Sequence, residues 1–333
     1  MELRQLTLEE WDDALPSTGI EAFHTAAALS VLDDHTTSDL HLVGGYKGDR
    51  PVALLPVFVR SMGPGKLVTS PPPGMGVPRL GPILMPASPK QSKREKVFRS
   101  FADLVVEEFD LDSYTTLSKI TCQPVFGDPR PYVWNDLSLQ TKFTYLLDAS
   151  NSDPEEIRNG ASKSLRREIR DATALGIEIR REGADAARRV FEQTRDRYSE
   201  QGRSYPLTWP YVRDLYNALD GMARVYVARS ESGEFLTGVT VCYSPDAAYF
   251  WQGGGRTVHE GVAVNSLIHW EVLNDIAADP PTETVTAYDL YGANTERLCR
   301  YKSKFGAKLV PYYSLETDGY RMAVAERLYE LVK

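Results

Sequence analysis

Cysteine is scarce in this chain of 333 residues, and its spacing excludes more than its number does. Cys122, Cys242 and Cys299 lie far apart with no Cys-x-x-Cys pair, so neither a disulfide framework nor a thiolate zinc site fits. The five histidines, His24, His35, His41, His259 and His269, lack metal-ligand spacing as well, and no metal is expected. Long apolar runs are absent, so no bilayer-spanning helix is expected. The first twenty residues carry Glu2, Glu9, Glu10, Asp12 and Asp13 around no apolar core, which is not the pattern of a secretory signal. Basic charge is also short: 38 Lys and Arg face 46 Asp and Glu, a net charge of -8. No protein-wide positive field therefore draws in DNA, and any RNA contact has to be local. Together these absences read as a soluble, cytoplasmic protein.

What is present is an ordinary globular balance, 42% hydrophobic and 25% charged, in a length that favours two domains. Residues 8–13 behind Thr7 read as a capped helix and 22–29 as a second. Residues 40–46 and 51–59 read as strands turned by Gly48-Asp49 into an antiparallel hairpin. The stretch 69–82 holds Pro71, Pro72, Pro73, Pro78 and Pro82, which remove amide donors and bar a central strand or helix. It either lines a cleft or is a packed crossover connection. Residues 93–109 are amphipathic and cover a sheet, with strands following around 113–120 and 140–147. A polar, turn-rich run at 148–154 marks a boundary between domains 1–148 and 149–333. Beyond it, Ile157, Ala161, Leu165, Ile169 and Ala172 trace one helix closed by Gly176. Helices at 184–200 and 209–219, strands at 223–227, 238–241 and 247–252, and a helix at 264–276 complete the pattern.

Chemistry concentrates in two places. The run Ala287-Tyr288-Asp289-Leu290-Tyr291-Gly292-Ala293 reads as a buried strand end and a glycine turn, followed by Arg297, Arg300, Lys302 and Lys304 in a short helical segment before Phe305-Gly306. A lysine packed between apolar strands faces a developing negative charge without first having to be ordered. The alternative is a solvated helix face for all four cations. Asp289 is a base candidate for an incoming amine or a cap of the following turn, and His259 and Glu260 are the other base candidates. The second place is the helix bearing Arg158, Lys163, Arg166, Arg167 and Arg170, where paired donors suit phosphate unless Glu155, Glu156, Glu168 and Asp171 take them up. Further ligand contacts are expected from Arg130 and Trp134 in the loop at 127–134, Tyr205 in the loop at 202–207, Arg256 after three glycines, and Asn265 at a helix start.

The order of elements in the second half, with a looser version in the first, resembles the GNAT acyltransferase fold, and two such units in one chain resemble the FemAB arrangement. The residues carrying the resemblance are Ser164-Leu165-Arg166-Arg167-Glu168-Ile169-Arg170-Asp171-Ala172 with Gly176, Tyr288-Asp289-Leu290-Tyr291-Gly292, and Tyr301-Lys302-Ser303-Lys304-Phe305-Gly306. They are similar to that family's basic helix, its Tyr-Asp-x-x-Gly strand end and its Phe-Lys-x-x-Phe-Gly signature. The likeness spans residues 140–315, and residues 1–140 only in outline. It implies an α/β (α+β) chain of two tandem GNAT-like domains, each a mixed, mainly antiparallel central sheet flanked by helices. FemAB proteins move an amino acid from aminoacyl-tRNA to the amine of a cell-wall peptide precursor, and a lysine assists the transfer. The resemblance gives that role to Lys302 and puts Tyr301 in the phenylalanine position. Two features depart from the pattern: no helical arm is present, and Arg256-Thr257-Val258-His259-Glu260-Gly261 is a poor match to the pyrophosphate loop of CoA-using enzymes. The expectation is an acyl or aminoacyl transferase with no tightly bound cofactor. Its donor would be aminoacyl-tRNA or acyl-CoA, its acceptor a small-molecule or peptide amine, and its oxyanion would meet Lys302 and amides near Gly253 and Gly254. The alternatives are a CoA-dependent N-acetyltransferase and a non-catalytic ligand-binding module.

Overall fold

The structure, a computed structural model, describes residues 1–149, 154–253 and 257–317. Internal contacts group the chain into two units, Met1–Lys142 with the strand end from Pro311, and Phe143–Val310. The chain thus leaves the first unit ahead of residue 148, inside a strand, and comes back to it at Pro311, where the sequence pattern placed a single crossing at 148.

In the first unit, β1 (Glu2–Gln5), β2 (Asp39–Lys47), β3 (Arg50–Met62) and β4 (Gly65–Ser70) pair antiparallel in that order, and β5 (Ile83–Leu84) adds to β3. β6 (Thr116–Thr121) lies parallel to β4. The helices are α1 (Leu8–Ala14), α2 (Ala26–His35), α3 (Gln91–Glu108) and the short α4 (Arg130–Val133). Local chemistry sets their ends. Thr7 and Glu10 form a reciprocal capping box, each side chain accepting the other's backbone amide at 3.2 Å and 2.8 Å. Gly48, at φ 62, makes the tight turn that registers Lys47 against Arg50. Phe101, Ala102, Val105 and Val106 recur at helical spacing and bury α3 on Val43, Ala53 and Val57 of the sheet.

The proline-rich stretch is the packed connection of the two alternatives. Residues 77–83 are buried throughout. Leu80 N donates to Thr121 O at 3.0 Å, Ser70 Oγ donates to Leu80 O at 2.7 Å, and Gln123 Nε2 donates to Pro82 O at 2.9 Å. A side chain on Gly81 would stand 2.6 Å from Cys122 Cα, so the loop backbone lies directly on the end of β6.

In the second unit the chain runs β7 (Ser138–Asp148), α5 (Pro154–Gly160), α6 (Lys163–Ala174), β8 (Glu178–Glu182), α7 (Ala184–Glu200), α8 (Trp209–Ala218), β9 (Ala223–Arg229), β10 (Phe235–Tyr243) and β11 (Ala247–Gly253). A small hairpin of β12 (Val258–His259) and β13 (Val262–Ala263) follows, then α9 (Asn265–Ala278), β14 (Ala287–Asp289), α10 (Glu296–Lys302) and β15 (Lys308–Glu316). Strands β8 to β11 form an antiparallel meander, and β14 lies parallel to β11 and antiparallel to β7. Alternation along β9 assigns helices to both faces of this sheet. Val225 and Val227 pack with Val190 of α7, while Tyr226 and Ala228 join the core that Ile169 of α6 and Val272 of α9 complete. A polar clasp holds α9 down: Asp275 accepts from the Tyr226 hydroxyl and pairs with Arg224 at 2.6 Å, and the Tyr226 and Tyr243 hydroxyls meet at 2.5 Å.

One expected helix is two. The apolar spacing from Ile157 to Ala172 is real, but Ser162 caps a new helix by accepting Leu165 N at 3.2 Å, and the chain bends between α5 and α6. That corner rests on the segment after α10, where Ser162 N donates to Lys304 O at 2.8 Å. Gly306 makes the approach possible, since it sits at φ 76 and a Cβ there would lie 2.6 Å from Gly160 O. Gly306→Ala is therefore expected to lose about 1–3 kcal/mol, measured as a lower denaturant midpoint at unchanged slope.

Candidate active site

The site starts where two parallel strands part. β11 and β14 pair from Ala247 with Ala287 to Tyr249 with Asp289 and no further. β11 continues along β10 to Gly253, while the chain after Asp289 turns to β7, with Leu290 N donating to Tyr145 O at 3.0 Å and Ala293 N to Phe143 O at 2.9 Å. The two parallel strands thus diverge beyond Tyr249 and Asp289, leaving a gap in their pairing. At its root the Tyr249 and Tyr291 rings meet edge to face at 5.2 Å. In the first unit the corresponding parallel pair, β4 and β6, has no such gap, because Leu80 and Gly81 of the proline-rich loop fill it.

The turn after β14 is held by Asp289. Its Oδ1 accepts Tyr291 N at 2.8 Å and Thr144 Oγ1 at 2.5 Å, and the residue is 2% exposed. Tyr291 at φ 48 and Gly292 at φ 78 are both left-handed, an uncommon backbone for an aromatic residue and one that such a cap supports. Of the two roles open to Asp289, the geometry realises the cap.

Lys302 ends α10 with its Nζ donating to Gly292 O at 3.1 Å, and it is 7% exposed. Its neighbours Arg297 and Arg300 are exposed, Arg300 pairing with Glu296, and Lys304 pairs with Glu168 at 3.5 Å, so of the four cations only Lys302 is buried. An aromatic wall is built from its neighbours along the chain: Tyr301 and Phe305 lie 5.4 Å apart, and His269 lies 6.3 Å from Tyr301 and 5.5 Å from Phe305. Burial pushes the Lys302 ammonium down to about 8, against a smaller opposing pull from the charge of Asp289. Burial also pushes the imidazole of His269 down, to about 3.

The basic helix faces a groove. Arg166 and Arg170 line a cavity of about 1310 Å³ between α6 and α9, together with Lys163, Arg167 and Trp270. Arg158, at the same groove, pairs with Glu155 at 2.7 Å and Arg170 with Asp171 at 2.9 Å, whereas Lys163, Arg166 and Arg167 have no ion pair among the described residues. The acidic lining is committed elsewhere, Glu178 to Arg180 and Glu271 to Asn274. Glu168 on the same helix accepts Ser266 Oγ at 2.6 Å, which places a carboxylate at the start of α9.

Other expected contacts are distributed differently. His259 lies on the β12–β13 hairpin, paired in register with Val262. Asn265 is structural, its Oδ1 accepting Thr257 N at 2.7 Å and closing the hairpin onto α9. Tyr205 packs on Tyr198 at 4.9 Å and Phe191 at 5.7 Å, and burial pushes its phenol up. Arg130 and Trp134 belong to the first unit. Arg130 is tied to Asp128 at 2.7 Å and Glu95 at 2.8 Å, and the exposed Trp134 ring stands 5.6 Å from Arg130 and 5.8 Å from Arg99. Arg256 and Gly254 lie outside the described residues. Sequence reasoning missed His269, Tyr288 and Thr144 as parts of the site. The available signal was a histidine in phase with Val272, Leu273 and Ile276 on an otherwise apolar helix stripe.

Comparison with known proteins agrees with this geometry. The acetyltransferase (GNAT) domain family matches residues 159–303. FemX is similar over 100% of both chains, at 12% identity and a TM-score of 0.68. The C-terminal domain of a putative lysylphosphatidylglycerol synthetase from Agrobacterium fabrum is similar over 96% of this chain and 94% of its own, at 12% identity and a TM-score of 0.58. A tandem GNAT protein from the clavulanic acid biosynthesis pathway is similar over 95% and 98%, at 15% identity and a TM-score of 0.50. No curated protein matches the chain. Residues 159–303, which include the parting strands and Lys302, thus match the acetyltransferase (GNAT) domain family, in a chain whose tandem fold is similar to that of FemX.

Proposed function

We propose that the second unit transfers an aminoacyl group from an RNA ester to an amine acceptor, with Lys302 as the group that meets the developing negative charge. One observation carries the reading: a desolvated ammonium is held on the Gly292 carbonyl, in the turn that follows the point where β11 and β14 part, and that carbonyl is its one hydrogen-bond partner among the described residues. The acceptor nitrogen attacks the donor carbonyl, a C–N bond forms, and the C–O bond to the ribose breaks. The tetrahedral oxyanion is stabilised by the ammonium in a site where water does not screen it. The amine's proton leaves to water, and Lys302 supplies one to the departing oxygen. A lysine brought down to about 8 suits both tasks, being charged at neutral pH yet close enough to give its proton up. As the pH rises through that value, the charge and the catalysis it supports are lost together.

The choice of RNA ester over acyl-CoA is supported by two features. Lys163, Arg166 and Arg167 offer uncommitted cations beside Trp270, which suits a phosphate chain with a stacked base. At the start of α9, where a pyrophosphate would be received by backbone amides, Glu168 already stands against Ser266. The FemX likeness is consistent with this choice.

Two outcomes are expected. Lys302→Met keeps the volume and removes a buried charge, so turnover falls by roughly a hundredfold to a thousandfold while the thermal midpoint at pH 7 does not fall. An unchanged turnover number sinks the assignment. For the donor, an RNA stem ending in single-stranded CCA should bind with an affinity that drops with salt, and Arg166→Gln with Arg167→Gln should make the log–log slope shallower by about 1.4. Isothermal titration with acetyl-CoA should show no heat. Heat from acetyl-CoA without RNA binding would replace the RNA ester with a thioester donor.

A further inference from the structure

We propose that His269 is a positioning residue for this site, one ring that fixes both the strand end carrying Asp289 and the helix end carrying Lys302. The assignment of what it positions rests on the reaction proposed above.

His269 lies on α9 and is 4% exposed. Its Nδ1 is 2.8 Å from the Tyr288 hydroxyl, a hydrogen bond whose donor depends on the tautomer. Its ring lies 5.1 Å from Phe250, 5.5 Å from Phe305, 5.9 Å from Tyr288 and 6.3 Å from Tyr301. These rings come from β11, β14, α10 and the turn after it, so one side chain joins the strand that carries Asp289 to the helix that carries Lys302. The sequence neighbours make the contacts consequential. Tyr288 immediately precedes Asp289, and Tyr301 immediately precedes Lys302.

Successive side chains on a strand leave opposite faces, and on a helix they are separated by roughly 100°. Pinning Tyr288 therefore sets the direction in which Asp289 leaves the strand. Packing Tyr301 sets the azimuth of Lys302 in the same way. A phenylalanine in place of His269 would keep the packing, but the Tyr288 hydroxyl, on a residue 0% exposed, would lose this partner. The imidazole does this without adding charge. Burial holds it at about 3, and the Lys302 ammonium pushes it the same way, so at working pH it is neutral. The charged and titratable groups acting on Lys302 are then Asp289 and Cys299, with His269 neutral beside it.

The test reads Lys302 itself and needs neither donor nor acceptor. The full chain is labelled with acetic anhydride across pH, and modification of Lys302 is followed by mass spectrometry beside a thermal melt of each variant. Wild-type Lys302 should titrate at about 8. In His269→Ala the aromatic wall loses its backing, water reaches the ammonium, and the midpoint should rise by about one unit. His269→Phe and Tyr288→Phe each remove the hydrogen bond and keep a ring, so both should move the midpoint upward by less. If His269→Ala does not fold, these two conservative variants carry the test. Variants that melt lower yet titrate Lys302 as the wild type does would make His269 packing alone and overturn the proposal. A transfer assay that fails while these shifts are present counts against the reaction and leaves the positioning role standing.

Discussion

An ammonium ion taken out of water is the constraint on which the second unit's site depends. Burying it is unfavourable unless something replaces the lost hydration, and the replacement among the described residues is meagre: one carbonyl and the charge of a nearby carboxylate. That shortage is chemically useful, because a poorly solvated cation gains more than a well-solvated one when an oxyanion appears beside it. The surrounding features follow from holding it there. Gly292 presents its carbonyl only because the turn is left-handed at two consecutive residues, and the turn persists because Asp289 accepts the Tyr291 amide within it while the Thr144 hydroxyl of β7 anchors the carboxylate. Gly306 lets the helix corner at Gly160 close on the segment that follows Lys302.

The two units use the same strand arrangement to different ends. Each has a parallel pair next to an antiparallel meander. In the first, the chain fills the end of the pair with its own proline-rich loop, and a stretch of buried backbone is satisfied there by Thr121, Ser70 and Gln123. In the second, the pair parts beside Tyr249 and Tyr291.

Sequence reasoning reached what short-range physics determines. The Gly48 turn, the Thr7 cap, the α3 stripe and the meander all follow from period and capping, and each is present. The basic helix was read correctly in its spacing and wrongly in its continuity, because a weak signal, Ser162 after Gly160, was outweighed by an apolar pattern that runs through the bend. Lys302 was legible through its Tyr-Lys-x-x-Phe-Gly motif. His269 was not, since its partners come from separate elements far along the chain, and nothing local distinguishes it from a core histidine. Arg130 is engaged by Asp128, two residues away in the sequence, and by Glu95 on another helix, a pairing that no local pattern announces.

The most direct measurement is a crystal structure with a phosphonate analogue of the tetrahedral intermediate, which presents a fixed oxyanion to the site. If the buried ammonium is the oxyanion's partner, Lys302 Nζ leaves the Gly292 carbonyl and stands about 2.7–3.1 Å from a phosphonyl oxygen in the gap between β11 and β14. A phosphonate bound elsewhere, or bound in the gap with Lys302 still on Gly292, would contradict the role given to this lysine.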